Sequence, residues 1–334
     1  MARKSFQCID IHQHFVPERY RKALSDAGIS RPDGMANVPS WSEDGAIDMM
    51  DRLGIGTAFV SISSPGVNFA GPRLARTSAR QTNEDAAELL ARHPGRFGFF
   101  AVTPLPDIEA ALEEIAYAFD VLKADGVIFE TNFGGTYLGD SVLEPVYSEL
   151  HRRNAVLFIH PTSPHCQCVK CTPSGDEPMD IALGYPRPML EFMFETTRSI
   201  ASMVLSGVPE RFPNIKIVVP HAGACLPVLA GRIELLKDAG GHSGGPSTID
   251  IRASLRRLHY DLAGAPVPEL LGALLQIADR SRLHYGSDWP FTPAEACEHL
   301  LQELINTSLL DNDERAAMMS TNATRIFPRL SARG

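Results

Sequence analysis

The sequence predicts a closed (β/α)8 barrel of the TIM type with small insertions, formed as one domain over residues 1–334. Three observations lead there. Eight short apolar runs alternate with segments of helical periodicity, the sequence signature of repeated βα units around a parallel sheet. Histidines and an aspartate fall at the C-terminal ends of those runs, the face on which barrel enzymes build their sites. No Gly-x-Gly-x-x-Gly follows an early strand, so an open dinucleotide-binding sheet loses its usual support. A chain of 334 residues could hold two domains. No linker rich in Gly, Ser or Pro divides it, and it shows no internal repeat or low-complexity tail.

The first run, CIDIHQHFVP, alternates apolar residues with β-branched character and predicts a strand over residues 8–15. Side chains two apart on a strand share a face. If that face is a barrel interior, His12 and His14 aim two imidazoles at one point, the beginning of a metal site. Alone the motif is short, and two hydrogen-bonded core or surface histidines would satisfy it equally. A polar insertion follows, then a helix over 43–53. IGTAFVSIS leads to a long amphipathic helix over 74–92, FGFFAVTPL to a helix over 108–122, and GVIFETN to one over 143–153. AVLFIHPT is followed by an irregular stretch and a helix over 188–205. IKIVVPHAG precedes a helix over 226–236, LHYDLAG one over 267–278, and LHYGSDWP the last segment. The irregular pieces 31–42, 163–188 and 239–248 each follow a strand or helix and read as loops of the same domain.

With 44% hydrophobic residues the chain can bury a sizeable core. Its 31 basic and 40 acidic side chains give a net charge of −9 without a long basic run, which argues against a nucleic-acid partner. No apolar stretch approaches the roughly 18 to 20 residues that cross a bilayer, and MARKSFQCID lacks the apolar core of a signal peptide. The expectation is a soluble cytoplasmic protein without a membrane partner. Six cysteines do not suggest a secreted disulfide framework, since three are scattered singly. The others, Cys166, Cys168 and Cys171 of HCQCVKC, are crowded beside His165, whereas structural zinc usually takes two separated pairs. They are expected to be reduced thiols on a long loop.

The polar residues carry the functional reading. His12 and His14 lie toward the end of the first strand, His160 ends the fifth, His221 ends the sixth and Asp288 ends the eighth. Singly, each has an ordinary explanation as a cap of a strand end or of the following helix. Jointly they bring five metal-compatible side chains to one rim, which predicts a catalytic metal centre. His93, His151, His259, His284 and His299 fall on helices or near strand starts and read as surface or packing residues, and His242 in GGHSGG as solvated.

The His-x-His strand, HP after the fifth strand, PHAG after the sixth, GSDWP after the eighth and the terminal TNATRIF together resemble the decarboxylase branch of the amidohydrolase superfamily. This branch includes the amino-carboxymuconate-semialdehyde, γ-resorcylate and 6-methylsalicylate decarboxylases. MDRLGI, SISSPGV, HPGRFGFF, LPDIEAALEEIAYAFD and TTRSIASMVLSGV bring the chain nearest to the 6-methylsalicylate members. The resemblance spans nearly the whole chain. It implies His12, His14, His160 and Asp288 as ligands of one divalent metal, with His221 as the acid/base beside it. It also implies a homodimer or homotetramer, in which Arg232 of LAGRIE would reach a neighbouring subunit's site. An ordinary helix-face salt bridge would account for Arg232 equally. One departure matters: where the semialdehyde enzyme grips its substrate carboxylate with an arginine, this chain offers Asn37, which disfavours that substrate.

Three imidazoles and a carboxylate leave a coordination position open on the metal, and Zn²⁺ is the first expectation with Mn²⁺ the alternative. Such a centre supports two reactions. One is hydrolysis of a lactone, amide or ester by metal hydroxide. The other is non-oxidative decarboxylation of an ortho-hydroxybenzoate, a salicylate-like aromatic acid, by protonating the ring carbon that bears the carboxylate. In the second, which the resemblance favours, proton donation falls to Asp288 or to water at the metal, with His221 setting the proton supply. Trp289, Phe291, Phe15 and Phe133 are candidates to wall a pocket for a flat ring, and each is equally accounted for by core packing. His165 is a further candidate substrate contact.

Overall fold

The first strand, β1 (Cys8–His14), is buried along its whole length, as a strand enclosed on both faces must be. In the computed structural model, which describes residues 8–165, 185–237 and 248–331, seven further strands follow it: β2 (Ile55–Ser61), β3 (Phe97–Val102), β4 (Gly126–Glu130), β5 (Val156–His160), β6 (Lys216–Val219), β7 (His259–Asp261) and β8 (Leu283–His284). They pair in parallel in chain order. The ladder stops at β8, but backbone bonds carry on to β1. The Ile11 N–H donates to the Tyr285 carbonyl at 3.0 Å, and the His12 carbonyl accepts the Ser287 and Asp288 N–H groups at 3.2 and 2.7 Å. These bonds join the last strand to the first and make the expected (β/α)8 barrel.

Helices α1 (Glu18–Asp26), α2 (Glu43–Leu53), α3 (Pro72–Arg92), α4 (Ile108–Asp120), α5 (Glu144–Arg152), α6 (Glu191–Leu205), α7 (Leu226–Leu236), α8 (Ile251–Arg257), α9 (Glu269–Leu274) and α10 (Ala294–Asn306) surround the strands. Local chemistry explains the boundaries that sequence placed well. Ser42 caps α2 by accepting the Gly45 N–H at 3.1 Å, and Gly54, at φ 70°, ends the helix in the left-handed region. Asp107 caps α4 through the Ala110 N–H at 3.2 Å.

Several expectations need correction. The polar insertion after β1 contains α1, whose buried face is only Tyr20 and Leu24, too thin a stripe to show as a helical period. A small antiparallel hairpin of Asn132–Phe133 with Thr136–Tyr137 follows β4, turning at Gly134 and Gly135 with φ 60° and 93°. The helix expected over 267–278 shrinks to α9, directly after Pro268, and α8 occupies a stretch for which no helix is expected.

Inside the barrel, aromatic rings form a floor beneath the first strand's histidines. Phe327, from the C-terminal TNATRIF segment, stacks on Phe59 at 3.9 Å between centroids, and Phe100 stacks on Phe158 at 5.0 Å. His12 meets Phe158 edge-on at 4.9 Å, so the first histidine stands directly on that floor.

Candidate metal centre

The alternation of β1 puts His12 and His14 on one face, and both are almost fully buried. Their Nε2 atoms stand 3.1 Å apart. Asp288, at the turn after β8, brings Oδ1 to 3.4 Å from His12 Nε2 and 3.1 Å from His14 Nε2. His160, the last residue of β5, completes a group whose four ligand atoms lie within 4.8 Å of one another. Donors bonded to one ion at about 2.0 Å stand about 3.3 Å apart in a tetrahedron. The spacings among His12, His14 and Asp288 match that, and His12, His14, His160 and Asp288 are the four residues expected from the sequence.

Hydrogen bonds on the far side of each ring show why a cation fits. His12 Nδ1 lies 3.0 Å from Asp261 Oδ2, and His14 Nδ1 lies 3.2 Å from the Ser61 carbonyl. A carbonyl or carboxylate oxygen can only accept, so each Nδ1 carries the proton and each Nε2 presents a lone pair. In the neutral rings, two lone pairs and a carboxylate oxygen thus converge on one point. For His160, Nδ1 faces Glu130 Oε2 at 3.6 Å, and neither atom has another partner among the described residues. Its Nε2 lies 3.4 Å from Ser63 Oγ.

The surrounding carboxylates favour positive charge at this point, so a cation bound there would displace a proton from His12 Nε2. Burial opposes charging His12, but Asp261 and Asp288 outweigh it and push its pKa up to about 9. Burial holds His14 and His160 below the ordinary histidine range. Burial would also raise Asp288, yet His14, His221 and His12 keep its carboxyl ionised, well below the ordinary carboxylate range. The protein gathers the negative charge that a cation would neutralise.

His221 follows β6 with its Nε2 3.9 Å from Asp288 Oδ2 and its ring centroid 5.2 Å from that of His12. Both His221, at φ 54°, and Asp288, at φ 59°, occupy the left-handed region that disfavours side chains bearing a Cβ. Strain of this kind persists where surrounding structure enforces it. Here the enforcing groups are two buried aspartates that the sequence reading missed. Asp261 accepts the His221 N–H at 3.0 Å, and Asp10 accepts the His12 and Ser287 N–H groups at 3.0 and 3.1 Å. Asp261 ends β7, so the rule that selects His160 from the end of β5 would also have selected it.

The other candidates separate. Phe291 meets the His14 ring edge-on at 5.3 Å, and Trp289 adjoins Asp288, partly buried. Phe15 packs on Trp41 and Phe133 on Phe129, both in the core. His165 is exposed in a cleft shared with Glu130, Asn132 and Phe133, whose lining includes none of the four residues of the cluster. Arg232 is exposed on α7 beside Leu205, Leu229 and Leu236, and Asn37 is exposed in the loop before α2. His259 and His284 are buried packing residues, bonded to each other at 2.9 Å. His93 bonds Glu43 at 2.9 Å, His151 bonds Asn214, and His299 is exposed. Cys166, Cys168, Cys171 and His242 lie outside the described residues.

Comparison with known proteins is consistent along the chain. The profile of the Amidohydrolase family matches residues 9–329. A decarboxylase of Aspergillus niger is 34% identical over 96% of this chain and 87% of its own length. The 6-methylsalicylic acid decarboxylase of Penicillium expansum is 33% identical over 96% of each chain. Among solved structures, an amidohydrolase II superposes with a TM-score of 0.88 at 31% identity, covering 96% of this chain and 99% of its own. A dihydroxybenzoic acid decarboxylase of Polaromonas, solved with bound manganese, shares the fold with a TM-score of 0.77 at 22% identity over 96% of each chain.

Proposed function

This chain belongs to the amidohydrolase family, and from that premise we propose that it is a metal-dependent, non-oxidative decarboxylase of a hydroxylated aromatic acid, 6-methylsalicylate or a salicylate-like relative. One observation carries the reading. Three imidazoles and a carboxylate converge on one point at the barrel mouth, in a chain 33% identical to a 6-methylsalicylic acid decarboxylase over 96% of each length. His12, His14, His160 and Asp288 would hold a single divalent ion. Their chemistry suits Zn²⁺, and the manganese-bound relative supports Mn²⁺ as the alternative.

A divalent ion held there supplies positive charge that draws in an anionic substrate and polarises its oxygens. The chain's own residues supply the rest. Phe291, against the His14 ring, and Trp289, beside Asp288, would wall the flat face of the substrate, and His165, in the cleft beside Glu130, would contact a group at its edge. His221, with Nε2 3.9 Å from Asp288 Oδ2, passes a proton to that carboxylate, which delivers it to the ring carbon bearing the substrate's carboxylate. Breaking the bond to the carboxylate then returns an electron pair to the ring, and carbon dioxide leaves. One proton is taken up per turnover and no electron acceptor is required.

The partner is a small aromatic acid, with a second copy of the chain beside it. Val228, Leu235 and Leu236 on α7 are 71%, 78% and 44% exposed, and Leu205 of α6 is 42% exposed, all near Arg232. Such an apolar face supports a homodimer or homotetramer in which Arg232 is lent across the contact. No helix of the described residues is long and apolar enough to cross a membrane, and the protein is proposed to work in the cytoplasm.

Product analysis tests the reaction. Metal-loaded protein given 6-methylsalicylate, salicylate and 2,6-dihydroxybenzoate should release carbon dioxide and the matching phenol from at least one. His12→Ala and Asp288→Asn should each lose that release by at least about a hundredfold and lose bound metal. Cleavage of lactones, esters or amides without any carbon dioxide from the acids would make the protein a hydrolase instead.

A further inference from the structure

Asp261 is fully buried and uses both carboxylate oxygens. Oδ2 lies 3.0 Å from His12 Nδ1. Oδ1 accepts two backbone N–H groups, those of His221 and Ala263, each at 3.0 Å. One side chain therefore reaches the far side of a metal donor and the strained backbone of the acid/base histidine. The two tasks make separate demands on the one side chain. The His12 ring must keep its proton on Nδ1 to leave Nε2 free for an ion, and His221 must stay at φ 54° to keep its ring near Asp288.

We infer that Asp261 is a positioning residue with two arms, one fixing the His12 tautomer for metal binding and the other fixing the backbone of His221. The inference rests on the metal-dependent reading of the site and adds to it a residue that never touches substrate. The two arms can be separated. In Asp261→Asn the amide has one acceptor oxygen. If that oxygen keeps the two backbone N–H groups, the NH2 group faces His12 Nδ1. A donor there favours the ring proton on Nε2 and removes the lone pair from the metal side. Asp261→Ala removes both arms.

The test is a titration of Mn²⁺ alone into chelator-stripped protein, with free ion followed by electron paramagnetic resonance. Glu114→Gln serves as control, since Glu114 is a buried carboxylate in the helical layer bonded to Arg80 and Asn83. Asp261→Asn should weaken Mn²⁺ binding by about 10- to 100-fold, while Glu114→Gln stays within threefold of the wild type. At saturating Mn²⁺, Asp261→Ala should also show a lower kcat than Asp261→Asn, because only the alanine variant frees the His221 backbone. Equal Mn²⁺ affinity in Asp261→Asn and the wild type would overturn the His12 arm, as would an equal loss in Glu114→Gln. Equal kcat in the two Asp261 variants would overturn the His221 arm. A wild type that binds no Mn²⁺ and no Zn²⁺ would instead overturn the metal-dependent reading itself.

Discussion

Gly286 lets the turn after β8 lie against β1: a Cβ added there would stand 2.7 Å from the Cβ of His12. Gly286→Ala should therefore push His12 off the donor point and lower both bound metal and kcat/KM, the latter by at least about tenfold. Metal analysis beside steady-state kinetics checks it. A second residue-scale prediction concerns the buried pair below the site. Arg282 donates to His259 Nε2 at 2.9 Å, so His259 Nδ1–H donates to His284 Nε2, also at 2.9 Å. Burial pushes the His284 pKa down to about 3, while the unfolded chain takes a proton near pH 6.5. The native state then binds fewer protons, so this stability is complete above about pH 6.5 and is lost as pH falls toward 3. Between pH 7.5 and 5.5, His284→Gln should lose about 1.4 kcal/mol less stability than the wild type in denaturant melts. The histidines of the centre were legible in sequence because their position at strand ends carries the signal. Asp10 escaped notice because its work is hydrogen bonding to groups up to 277 residues away, which residue type alone does not reveal, whereas Asp261 at the end of β7 was within reach of the strand-end rule.

Among the elements, the terminal TNATRIF segment does structural work out of proportion to its length. Phe327 is buried against Phe59 and adds to the aromatic floor beneath His12. Phe327→Ala should cost about 3–5 kcal/mol, read as a lower denaturant midpoint with an unchanged slope. Helices α2 and α7 were legible to the residue, α2 because a serine cap and a closing glycine bracket an apolar period. By contrast, α1 buries two side chains, and the hairpin after β4 has strands of two residues each. Neither is long enough to generate a period. The short β8 was over-read for a related reason: beyond His284 the chain leaves the regular ladder, and its backbone N–H groups turn instead to His12.

At the scale of the molecule, the barrel gathers residues from positions 12 to 288 into one group, and eight alternating periods announced that closure in advance. The outer surface was less legible, since an apolar helix face reads the same whether it packs on its own barrel or on a second copy. Light scattering on the eluting protein should give a multiple of 36.4 kDa, and Val228→Glu with Leu235→Glu should shift it toward one chain. Loss of activity in Arg232→Ala with assembly retained would mark that arginine as the residue lent across the contact. The most direct measurement is carbon dioxide release from 6-methylsalicylate by protein stripped with a chelator and then reloaded with Zn²⁺ or Mn²⁺. The account predicts no release from stripped protein and stoichiometric carbon dioxide and 3-methylphenol after reloading. Release that survives complete stripping would contradict a metal-dependent decarboxylase, and so would fully loaded protein that leaves 6-methylsalicylate and every related hydroxybenzoate intact.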